Sequence, residues 1–80
     1  MNTTLTKQRL ELASKRLELY LDAEQAILSG QAYTIEGLQL TRANLLQVQN
    51  MIRALSNEIN ALTDKLNRLN KHSRVVVPKW

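Results

Sequence analysis

Cysteine is missing from the chain, so neither a disulfide framework nor a thiolate metal site is available. The redox compartment stays open, with a reducing cytoplasm as the default. A single histidine, His72, rules out a multi-histidine metal site within one chain. Phenylalanine is also missing and proline occurs once, at Pro78. No apolar run approaches the roughly 18 to 20 residues that cross a bilayer, and the start MNTTLTKQRLEL lacks an h-region. The chain therefore reads as soluble and unexported, with no membrane partner. It contains no P-loop, no Gly-x-Gly-x-x-Gly and no nucleophile elbow. The acids Glu11, Glu18, Asp22 and Glu24 have no histidine or metal-ligand partner at productive spacing and read as a solvated face. His72 stands beside Ser73 close to a fraying end, where a general base cannot be held rigidly. No enzymatic activity and no cofactor are expected.

What is present is aliphatic. Fifteen leucines in 80 residues and 44% hydrophobic content fit a helical core rather than disorder. A chain this short buries only about 60% of its unfolded surface. With no disulfide or metal to staple it, regular helix packing and oligomerisation remain.

The stretch Ser29 to Leu46 organises the rest. Ser29-Gly30 stops one helix, Glu36-Gly37 reverses the chain and Thr41 starts the next helix. Between these marks the hydrophobic period becomes two, with Tyr33, Ile35, Leu38 and Leu40 on one face and Thr34 and Gln39 on the other. A two-residue loop at Glu36-Gly37 sets Ile35 opposite Leu38 and Tyr33 opposite Leu40. An isolated hairpin is marginal in water, so its apolar face is expected to lie against the flanking helices. Gly30, Tyr33, Ile35, Gly37, Leu38, Leu40 and Thr41 thus form the corner of the fold.

The expected class is mainly α with a small β-hairpin (α+β): two long antiparallel helices joined by a two-stranded hairpin, with an extended C-terminal tail. Residues 1–73 form the helix-hairpin-helix domain, with a helix at 5–28, the hairpin at 31–41 and a helix at 42–71. Residues 74–80 are the tail. Thr4 or Thr6 is the expected N-cap of the first helix. One stripe of that helix follows Leu10, Ala13, Leu17, Tyr20, Leu21, Ile27 and Leu28; a second follows Leu5, Leu12, Leu19 and Ala26 at intervals of seven. A helix in a two-helix hairpin needs one apolar face, so Leu5, Leu12 and Leu19 are candidates for self-association, although isolated surface leucines are common.

The second helix carries an a/d seam of coiled-coil type: Leu45, Val48, Ile52, Leu55, Ile59, Leu62, Leu66 and Leu69, widened by Leu46 and Met51 near the hairpin. Its cap rests on Thr41, because Asn44 is not the Glu or Gln of a capping box. Running to about Lys71, it would be roughly 45 Å long against about 36 Å for the first helix, and its last turns would project unsupported.

Past Asp64 the chain has bases and no acid: Lys65, Arg68, Lys71, Arg74 and Lys79. The net charge is +4, and this positive end could make non-specific contact with DNA. The closing RVVVPKW favours extended backbone, and Pro78 forbids a continued helix. Arg74, Val75, Val76, Val77 and Trp80 are the candidate partner-docking residues, against the alternative of an untethered terminus.

The segment SGQAYTIEG at 29–37 followed by LTRANL at 40–45 resembles the central signature of small prophage proteins associated with the head-tail joining proteins of tailed bacteriophages, typified by the lambda W protein. The likeness covers about half the chain by pattern. Asn44 stands where an acid is expected in that pattern, the second helix is longer, and the chain closes on Trp80. The resemblance implies a head-completion or neck adaptor. It would assemble as a ring of about twelve copies under the portal protein, dock the next neck or tail-completion protein, and occupy the virion neck after assembly in the host cytoplasm. Lys65, Arg68 and Lys71 could then face packaged DNA. Two rival readings stand beside it: a helical-hairpin or coiled-coil adaptor or chaperone gripping a partner helix along the Leu45 to Leu69 seam, and a small basic DNA-binding regulator.

Overall fold

Two helices of equal length lie side by side and a short ribbon closes one end. The computed structural model describes residues 3–70. In chain order these are α1 (Thr3–Leu28), β1 (Tyr33–Ile35), β2 (Leu38–Leu40), a single 3₁₀ turn (Arg42–Asn44) and α2 (Leu45–Asn70). The architecture is the expected one: mainly helical, with a two-stranded antiparallel sheet between the helices.

Each boundary has a local cause. At the end of α1, Gly30 takes φ 87°, a left-handed conformation that costs a residue with a Cβ about 1–2 kcal/mol. The turn is closed by Gln31 N–H donating to the Ala26 carbonyl (2.8 Å) and Gly30 N–H donating to the Ile27 carbonyl (3.0 Å). These are the two bonds of a Schellman motif, which satisfy carbonyls left open by the helix end. The hairpin has the expected register, Tyr33 opposite Leu40, Thr34 opposite Gln39 and Ile35 opposite Leu38. Both loop residues have positive φ, Glu36 at 50° and Gly37 at 83°, as a type I′ turn demands.

The second helix starts differently from expectation. Thr41 N–H donates to Asn44 Oδ1 (2.9 Å), and Asn44 N–H donates to the Thr41 carbonyl (2.8 Å). Asn44 thus reaches back as a capping-box Glu or Gln would. Its shorter side chain suffices because the first turn is wound as a tight 3₁₀ turn, which delays α2 proper to Leu45. At the other terminus Thr4 and Thr6 lie inside α1 and do not cap it, and Thr6 is buried.

The core sits at the hairpin end. Ala23, Ile27, Ile35, Leu40 and Val48 form one buried cluster, with Tyr20, Tyr33, Leu45 and Ile52 packed partly against it. Two of the four ribbon residues, Ile35 and Leu40, are therefore driven into the helices as expected. Leu38 is not, remaining 56% exposed. The ribbon packs on α1 chiefly through β1, so the tip of β2 projects past it. Farther along the rod the side chains that α1 buries are small, Ala13 and Thr6, and they admit the large residues of the α2 seam. Leu21 and Leu28, expected in the core stripe of α1, are exposed, and Ala23 takes the buried place instead.

Gln49 Nε2 donates to Glu24 Oε2 (3.0 Å), which fixes the helix register. Glu24 lies 21 residues from Thr3, and Gln49 lies 21 residues from Asn70. Thr3 of α1 therefore lies level with Asn70 of α2, and within the described residues no turn of α2 projects past α1. The difference arises at both starts, α1 beginning two residues earlier than expected and α2 three residues later.

Two stability changes are expected. Ile27→Ala opens a cavity in a fully buried cluster and should cost about 2–5 kcal/mol in urea unfolding. Glu36→Asn places a residue tolerant of positive φ in the first turn position and should stabilise by about 0.5 kcal/mol.

Candidate functional site

One shoulder of α1, beside its contact with α2, carries the feature that monomer stability does not explain. Leu5, Leu12 and Leu19 recur every seven residues, which returns to almost the same angle on a helix of 3.6 residues per turn. All three are exposed, Leu12 to 60%. The candidate self-association row is thus a real solvent-facing row. Beside Leu12, a shallow hollow is lined by Arg9, Ala13 and Arg16 of α1 and by Leu55 and Glu58 of α2.

A second set of exposed leucines was not legible as surface in the sequence. Leu21 and Leu28 (54% exposed) lie on the opposite shoulder of α1, and Leu38 and Leu46 (70% exposed) lie at the hairpin end. Period counting assigns Leu21 and Leu28 to the core because each falls one residue after a seam position, Tyr20 and Ile27. The usable signal was the size of the neighbouring residues. Small Ala13 and Ala23 allow α2 to approach over them, which leaves the adjacent shoulder uncovered. Leu46 expected to widen the α2 seam, follows Leu45 by one position and is rotated out in the same way.

Charge is unevenly distributed along the rod. In α1, residues 3–16 carry Lys7, Arg9, Lys15 and Arg16 against Glu11, whereas residues 17–28 carry only the acids Glu18, Asp22 and Glu24. At the open end of the rod, opposite the hairpin, α2 adds Lys65 (half-buried) and Arg68 (exposed) to Lys7 and Arg9. The basic end expected from sequence therefore includes α1. Of the remaining candidates, Gly30, Tyr33, Ile35, Gly37, Leu40 and Thr41 stand together at the corner. Lys71, Arg74, Val75, Val76, Val77 and Trp80 lie outside the described residues.

Among the described residues no three His, Cys, Asp or Glu side chains converge in a way that could hold a metal ion. No described helix is long and apolar enough to cross a membrane. The arrangement offers contact area: an apolar row on one shoulder, of which Leu5 and Leu12 stand in the basic half of α1 and Leu19 in the acidic half, and a shorter apolar row, Leu21 and Leu28, in the acidic half on the other.

Over residues 1–79 the chain matches the model of a protein family described as a family of unknown function, DUF6148. No curated protein and no solved structure matches it. The exposure of the first row has a measurable consequence. Leu12→Gln should leave the urea unfolding free energy within about 0.5 kcal/mol of the parent. A loss comparable to that of a core truncation would place Leu12 in the monomer core instead.

Proposed function

We propose that this chain, which belongs to the DUF6148 family, is a structural subunit of the neck of a tailed bacteriophage or prophage particle. In this role it is a head-completion protein that assembles as a ring beneath the portal and docks the next neck or tail protein. The observation that carries the proposal is the solvent-facing row Leu5, Leu12 and Leu19. A small rod that keeps three evenly spaced leucines in water gains nothing from them alone. Neighbouring copies would gain from covering them, at about 25 cal/mol per Å² of apolar surface removed from water.

Other features support the same reading. The helix, hairpin, helix order is that of the phage joining proteins the sequence resembles. The segment Arg74, Val75, Val76, Val77 and Trp80 combines extended backbone preference with an indole, suited to a pocket on the portal or on the following neck protein. Lys65, Arg68 and Lys71 would face the DNA passage and contribute non-specific, salt-sensitive attraction to packaged DNA. The protein would be made in the host cytoplasm and act in the virion, without a cofactor and without catalysing a reaction.

The rival adaptor reading needs the α2 seam to be available to a foreign helix. Val48 and Leu55 of that seam are buried in the packing with α1, which weighs against it. A DNA-binding regulator would need residues that read bases, and the basic positions are accompanied by no aromatic platform.

Deletion of residues 74–80 tests the role. The truncated protein should keep its helical circular dichroism and lose the ability to join heads to tails, read as particle yield when it replaces the full chain. A normal yield of complete particles from the truncated protein would refute tail docking.

A further inference from the structure

We draw no further inference here: the strongest candidate, the hollow between α1 and α2 beside the exposed row Leu5, Leu12 and Leu19, sets Arg9, Arg16 and Glu58 among its apolar side chains, and nothing in the structure shows what covers it.

Discussion

Everything in this fold depends on one contact, the packing of Ile35 and Leu40 of the ribbon into the wedge between Ile27 and Val48. Two helices alone touch along a line. At the hairpin end the ribbon supplies a third wall, and only there, among the described residues, do large side chains lose all their exposure, Ile27 and Val48 both being fully buried. Burying a side chain of this size contributes about 1.5–3 kcal/mol, a large share of the stability of so small a domain. The Schellman closure at Gly30 and the type I′ turn at Glu36-Gly37 matter because they aim the ribbon into that wedge.

Much of this was legible in the sequence because it is written in local rules. Gly30 marks a helix end, Glu36-Gly37 a two-residue turn, and the alternation from Tyr33 to Leu40 the register; each depends on residues within one turn of one another. Three features were not legible because they depend on something farther off. Leu21, Leu28 and Leu46 look like core by periodicity, and only the position of the other helix over Ala13 and Ala23 decides that they are not. Leu38 shares a face with Ile35 and Leu40, but the helix beneath reaches chiefly β1. Asn44 completes a cap that its length seems to forbid, because the backbone there winds more tightly than an α-helix. The candidate self-association row was readable for the same reason the seam was, a strict interval of seven.

The division of labour between the two helices follows. α2 carries the regular seam and meets α1 with large aliphatic side chains. α1 gives small residues to that contact and spends its leucines elsewhere. α1 thus donates alanines to the core and leaves leucines in solvent, and the proposed neck role would supply neighbours to cover them.

The half-buried state of Ile59, Leu62, Leu66 and Leu69 carries a consequence of its own. Away from the ribbon the rod is a bundle short of members, with a strip of wetted leucine along each side of the line where its two cylinders meet. Such a strip makes the far end the first to fray, since little free energy opposes separating the helices there. Closing the gap from outside would lock that end shut, so assembly and the final tightening of the protomer would be one event.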